Sequence, residues 1–142
     1  SELTREVYNS EGPGILQSAT FDGHLMAVPY ADASVESTHY LWIRQDWLDK
    51  LQLEPPKTMQ DLQNIAEAFT TRDPDGNGKD DTYAMAVTKD LYSGAMGTEG
   101  FFAGYHSYPN MWVKTDDGTL AWGSVLPETK DALKALADMW RA

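Results

Sequence analysis

The sequence has 142 residues, a net charge of −11 and no cysteine. That length is enough for one domain with a core, and the acidic balance repels nucleic-acid phosphate and disfavours anionic membranes. The lack of cysteine removes thiol catalysis, disulfides and thiolate metal sites.

No apolar run reaches the roughly 18 residues of a membrane helix, and no signal peptide is visible. Residues 3–9 are predicted to end a helix, which Glu11-Gly-Pro-Gly14 breaks. Phe21-Asp-Gly-His24 reads as a turn, because Asp-Gly favours tight reversals. Leu25 to Tyr30 is a short apolar run suited to a buried strand, Ala31 to Thr38 a small polar loop, and Tyr40 to Ile43 a second strand. Arg44 to Leu51 is predicted helical, with Trp47, Leu48 and Leu51 on one side. Pro55-Pro56 ends that connection. Thr58 is then a good N-cap, with Asp61 three residues on. Behind it Met59, Leu62, Ile65, Ala66 and Phe69 recur at helical spacing and form one apolar face. This helix runs to about Thr70.

An acidic loop follows, then a strand over Tyr83 to Thr88. Residues 91–100 read as a loop, and Gly100 to His106 as a short helix. Asp116-Asp-Gly118, between Met111–Val113 and Thr119–Gly123, is a hairpin signal. Pro127 opens the last helix, with Leu133, Leu136 and Trp140 sharing a face. Its end, Ala135 to Ala142, carries no stop signal, and an excised piece of a longer protein is expected. Strands alternating with helices, followed by a hairpin, make a mixed α/β lobe.

The acidic loop is Asp73-Pro-Asp-Gly-Asn-Gly-Lys-Asp-Asp81. Calcium takes six to eight oxygens at about 2.3–2.6 Å, and wrapping a chain around it needs ligands at alternate positions. With Asp73 as position one, Asp75 is three, Asn77 five and Asp81 nine. Gly78 falls at six, the glycine of an EF-hand loop, and Lys79 at seven, where only a carbonyl is used. Position twelve, a bidentate Glu in an EF-hand, is Ala84. The following residues alternate like a strand, so the loop joins a helix to a strand and is no EF-hand pair. Further oxygens are expected from Thr82, water or a distant carboxylate. The competing reading is a surface turn without metal. Magnesium prefers fewer protein ligands, and zinc wants His or Cys, which are not nearby. A structural Ca2+ ion is expected.

Other chemistry is thin. His24, His39 and His106 show no metal-protease spacing, and there is no GxSxG or phosphate-binding loop. Gly94, Gly97 and Gly100, spaced by three, read as flexible backbone. Asp32 and Glu36 are candidates for a glycosidase pair, against a reading as solvated loop acids. The five Trp and seven Tyr residues are either core or stacking platforms for sugar rings.

Several segments together resemble one family. Phe21-Asp-Gly-His-Leu-Met-Ala-Val-Pro-Tyr30, Leu41-Trp-Ile-Arg-Gln-Asp-Trp-Leu-Asp-Lys-Leu51, Glu54-Pro-Pro-Lys-Thr-Met-Gln-Asp-Leu62, the acidic loop with Tyr83, and Asn110-Met-Trp112 are similar, in order and spacing, to the family-1 extracellular solute-binding proteins of ABC transporters. The acidic loop is similar to that of its lipoprotein branch, which includes alginate-oligosaccharide binders. Thr82 stands where those binders have an acid, and Gln52 where the family has glycine.

The resemblance implies a class II periplasmic-binding-protein-like lobe, with a mixed sheet flanked by helices. Residues 1–30 would be the end of a first lobe and its hinge-crossing strand. Residues 31–142 would be part of the second lobe, with the calcium loop at 73–82. The implied calcium ligands are Asp73, Asp75, Asn77, the Lys79 carbonyl and Asp81. The implied activity is capture of an oligosaccharide outside the cell, on a Gram-positive lipoprotein or in the periplasm. The partners are ABC permease subunits, the membrane is reached only through an upstream lipid anchor, and no bond is made or broken. Tyr30, Glu36, Trp42, Arg44, Tyr105 and Trp112 are the expected sugar contacts. Two other readings stay open: a calcium-stabilised adhesion module and a fragment of a glycoside-active enzyme.

Overall fold

The computed structural model describes residues 2–10, 12, 14–30, 38–92 and 97–141. The chain divides into two compact units, Ser1–His39 and Tyr40–Ala142. The predicted boundary after Tyr30 and this division bracket residues 31–39, of which 31–37, with Asp32 and Glu36 among them, lie outside the described residues, as does Gly94 further on.

In the first unit, α1 (Glu2–Ser10) and α2 (Gly14–Ser18) precede a two-stranded ribbon of β1 (Thr20–Phe21) and β2 (His24–Leu25). The Asp22-Gly23 turn sets its antiparallel register, Thr20 opposite Leu25 and Phe21 opposite His24. The Tyr8 hydroxyl donates to the Pro29 carbonyl at 2.7 Å, tying α1 to the segment beyond the ribbon. The expected buried strand over Leu25–Tyr30 is not found. The ladder stops at Leu25, and Met26, Val28 and Tyr30 are exposed.

The second unit is built around α4 (Met59–Thr71). Its start is the capping box legible in the sequence. The Asp61 N–H donates to Thr58 Oγ1 at 3.1 Å, and the Thr58 N–H donates to Asp61 Oδ2 at 2.9 Å. Two orphan donors of the first turn are satisfied this way. This bonding to Thr58 also holds the Asp61 carboxyl below its usual pKa.

The apolar face of α4 is shared between two clusters. Ile65 and Phe69 pack with Leu48 of α3 (Gln45–Leu51), flanked by Ile43, Trp47, Leu51 and Leu53. The Trp47 and Phe69 rings meet edge to face at 5.1 Å. Met59 and Leu62 turn instead to a second cluster. There Phe101 and Phe102 of α5 (Glu99–Ala103) lie against Ala132 and Ala135 of α6 (Pro127–Arg141).

The buried face of α6 is Thr129, Ala132 and Ala135, with Leu136 and Met139 half-buried. This corrects the expected Leu133–Leu136–Trp140 face, since Leu133 is exposed and Trp140 is 83% exposed. Small alanines let the bulky Phe101 and Phe102 come close, so volume complementarity rather than residue hydrophobicity selects the face.

Helix and strand are mixed as expected, but the expected mixed sheet is not assembled among the described residues. The second ladder is a separate antiparallel ribbon of β3 (Trp112–Lys114) and β4 (Leu120–Trp122). Tyr40–Ile43 and Tyr83–Thr88, both predicted strands, run without ladder partners. Both ladders that form are closed by short turns, where the loop-closure cost is small. The apolar runs without local turns need partners distant in sequence.

One helix end carries a measurable consequence. Gln52 terminates α3 in the left-handed region with φ 55° and ψ 44°. A side chain there costs about 1 kcal/mol that glycine avoids, part of which glycine returns through its freer unfolded chain. Gln52→Gly is therefore expected to stabilise the second unit by about 0.5–1 kcal/mol, read from the urea midpoint. An unchanged or lower midpoint would contradict this account.

Candidate functional site

The acidic loop hangs between two buried anchors. Pro74 is fully buried, and Thr82 is buried with its hydroxyl donating to the Phe69 carbonyl at 2.7 Å. Thr82 thus satisfies an end carbonyl of α4, a use that competes with its predicted role as a loop ligand. Residues 75–81 between the anchors are exposed. Gly78 takes φ +75°, the backbone reversal that the glycine at position six was expected to supply. The Lys50 ammonium reaches across from α3 to the Asp73 carbonyl at 3.4 Å, filling the space where a side chain on Gly76 would stand.

The loop oxygens face N–H donors. Asp73 Oδ1 accepts from the amides of Gly76 (2.9 Å) and Asn77 (3.1 Å), and Oδ2 accepts from Gly78 (3.0 Å). The Gly78 amide is the leading cause of an Asp73 carboxyl held below its usual pKa. Asn77 Nδ2 donates to both Asp75 Oδ2 (2.8 Å) and Asp81 Oδ1 (3.0 Å). Carboxylates from positions three and nine therefore converge on one electropositive group. Among the described residues no three or more His, Asp or Glu side chains are gathered closely enough to hold a metal as they stand. The donor set is nevertheless hard oxygen throughout, which suits calcium and no softer ion.

The predicted sugar contacts fall in both units, and within the second unit Trp42, Arg44, Tyr105 and Trp112 lie on separate elements. Tyr30 belongs to the first unit and is 89% exposed, and Trp42, 90% exposed, lies on the unpaired Tyr40–Ile43 segment. Arg44 precedes α3, where its guanidinium forms a two-point ion pair with Asp46 (2.8 and 2.5 Å) and lies 4.7 Å from the Trp47 ring centre. Bonding to Asp46 raises the Arg44 pKa, and bonding to Arg44 lowers that of Asp46. Tyr105 is half-buried. Its ring packs 5.4 Å from that of Phe101 and its hydroxyl accepts from Gln63 at 2.5 Å, so both ends serve the core. A groove of about 870 Å³ runs between α4, the Tyr83–Val87 segment and the end of α6, and Trp42, Arg44, Tyr105 and Trp112 do not line it.

Trp112 has a companion that sequence reasoning missed. Trp112 lies directly opposite Trp122 in the β3–β4 ribbon, and their rings meet at 5.5 Å and 67°. Lys114 and Leu120, two residues further along, point to the same side. All four are exposed, while Val113 and Ala121 on the other side are half-buried. The hairpin signal at 116–118, with period-two alternation, could have paired the two tryptophans in advance.

The ribbon is firmly placed. At its far end, Asp117 accepts from the Thr115 hydroxyl (2.6 Å) and the Thr119 amide (3.0 Å), and the hydroxyl contact leads in lowering the Asp117 carboxyl to about 2. At its near end, the Gly123 amide donates to Met111 (2.8 Å). The Gly123 carbonyl accepts from the buried Thr129 hydroxyl (2.8 Å), which also bonds Ser107 (2.6 Å). A β-carbon on Gly123 would collide with the Tyr108 carbonyl, so no larger residue permits this approach.

Comparison with known proteins follows this geometry. No family model matches the sequence. The polygalacturonan/rhamnogalacturonan-binding protein YtcQ of Bacillus subtilis is 39% identical over 84% of this chain and 23% of its own length. Lipoprotein LipO of the same organism is 53% identical over 33% of this chain and 9% of its own. Among solved structures, the Streptococcus pneumoniae ABC-transporter substrate-binding protein FusA, in complex with kestose, matches with a TM-score of 0.55. That match has 32% identity and covers 70% of this chain and 20% of the FusA chain. The chain is homologous to substrate-binding proteins of ABC transporters. It spans about a quarter or less of the length of the relatives it matches. These homologues are binding proteins and not enzymes, in agreement with the absence of catalytic motifs. The likeness to FusA also bears out the periplasmic-binding-protein-like α/β class.

Proposed function

We propose that this chain serves in a substrate-binding component of an ABC importer that captures oligosaccharides outside the cell. The observation that carries this reading is the 39% identity to a polysaccharide-binding protein over 84% of the chain. In such a component two lobes close around a sugar and the closed form engages the permease. The protein would act at the cell surface as a lipoprotein or in the periplasm.

Of the predicted contacts, Tyr30, Trp42 and Trp112 expose aromatic rings suited to stacking. Arg44 would have to exchange Asp46 for a sugar hydroxyl or carboxylate, while Tyr105 would act only by shaping the wall. Calcium belongs to the same reading. Asp73, Asp75, Asn77, the Lys79 carbonyl and Asp81 would hold it, with a cation replacing the Asn77 amide donors now shared by Asp75 and Asp81. Its role would be structural, pinning the end of α4 to the segment that follows.

The test is calorimetric titration of the full-length polypeptide carrying this sequence, with kestose and with trigalacturonate, alongside an assay for released reducing ends. Saturable binding without product is the expected result. Released reducing sugar would replace this reading with an enzyme. Heat-silent titrations with both sugars would remove the sugar-binding reading.

A further inference from the structure

Resting on that reading, we propose that Trp112, Trp122 and Lys114 form one subsite for an acidic sugar ring, a hexuronate, on the outer face of the β3–β4 ribbon. Three observations carry it. The first is shape. Indoles 5.5 Å apart and inclined at 67° make an open corner, not a closed stack. A pyranose can lay its C–H face on one indole while its edge meets the other. Trp112 is 67% exposed and Trp122 36%, so Trp112 offers the open face and Trp122 the wall.

The second is charge. The protein carries −11, and a uronate approaching it is repelled at long range. Lys114 is two residues from Trp112 on the same side of the ribbon and takes part in none of the ion pairs among the described residues. An ammonium on the same face as the aromatic corner, at that face's next cross-strand pair toward the turn, supplies the local attraction that a carboxylate needs and a neutral ring does not. The nearby Asp117 forms no ion pair with it, and its carboxylate accepts instead from Thr115 and Thr119.

The third is rigidity. Both ends of the ribbon are fixed, by the Thr115–Asp117–Thr119 turn and by the buried Ser107–Thr129–Gly123 hydrogen bonds. The corner therefore exists before the sugar arrives, which spares the ordering cost of binding.

The experiment titrates trigalacturonate and kestose, separately, into the full-length polypeptide and its Trp112→Ala, Trp122→Ala and Lys114→Gln variants. Far-UV circular dichroism checks that each variant folds. Trp122 packs against its neighbour, so Trp112→Tyr, which keeps a stacking ring, is the second probe of the corner. The expected result is a loss of tenfold or more in trigalacturonate affinity for Trp112→Ala, with most of it restored in Trp112→Tyr. Lys114→Gln weakens trigalacturonate several-fold, less so at high salt, and leaves kestose unchanged. Trigalacturonate binding that survives all three variants would overturn the subsite while leaving the sugar-binding reading intact. Equal losses for both sugars in Lys114→Gln would overturn its acidic specificity. No binding of either sugar to the parent would remove the proposed function, and the subsite with it.

Discussion

Phe102→Ala is expected to destabilise the Tyr40–Ala142 unit by about 3–5 kcal/mol, the range for removing a buried aromatic ring. Phe102 is fully buried and is the largest side chain so placed among the described residues. Its ring meets Tyr92 at 5.1 Å and Phe101 at 6.2 Å, in the cluster that joins α5 to α6 and takes Met59 and Leu62 from α4. Alanines at 132 and 135 line the opposite wall, and neither can swing in to fill the space left behind. A domain is stable by only about 5–15 kcal/mol, so this one change removes a large share. The expected reading is a fall of more than about 10 °C in melting temperature, followed by near-ultraviolet circular dichroism. The comparison is Val125→Ala at an exposed position, which should stay within about 0.5 kcal/mol of the parent. A drop for Phe102→Ala no larger than that for Val125→Ala would show that the α5–α6 cluster is not the core of this unit.

Calcium is expected to raise the melting temperature by roughly 10–20 °C when present at a hundredfold excess over its dissociation constant. Binding only to the folded form then contributes about 2.7 kcal/mol, and each kcal/mol is worth about 4–8 °C in a domain of this size. EDTA should reverse the shift, and magnesium should reproduce little of it. Asp75→Asn and Asp81→Asn are the informative variants. Asp73 braces the loop by accepting three backbone amides, so its loss would weaken the fold with or without metal. Asp75 and Asp81 mainly share the Asn77 amide, and their replacement should abolish the calcium response with a smaller change in the metal-free protein. A melting temperature that moves by less than about 1 °C on EDTA, with nothing restored by calcium, would leave the loop as a hydrogen-bonded turn.

Local chemistry was readable in advance. Thr58 and Asp61 announce a capping box because its donors and acceptors lie within one turn. The hairpin around Asp116-Asp-Gly118 and the reversal at Gly78 are equally local. The helix over Gly14–Ser18 was missed because its flanking glycines and proline read as breakers. The family resemblance was legible as an order of short motifs, and homology to YtcQ and FusA agrees with it. The candidate sugar residues were less accessible. Nothing in the sequence says that the Tyr105 hydroxyl is taken by Gln63, or that Arg44 is held by Asp46.

The sequence by itself determined the capped start of α4, the turns, the oxygen-rich register of the acidic loop and the class of protein. Each depends on residues within a few positions of one another, or on a pattern that relatives share. Tertiary structure alone decided which face of α6 is buried, because the pocket left by Phe101 and Phe102 admits alanine where hydrophobicity favoured leucine and tryptophan. It also decided how the acidic loop is anchored. Pro74 and Thr82 are buried at its ends, and Lys50 arrives from α3, a distance along the chain that no local pattern encodes. The Trp112–Trp122 pair lies between these cases: the hairpin signal and period-two alternation imply it, and the folded backbone fixes the register that brings the two rings together.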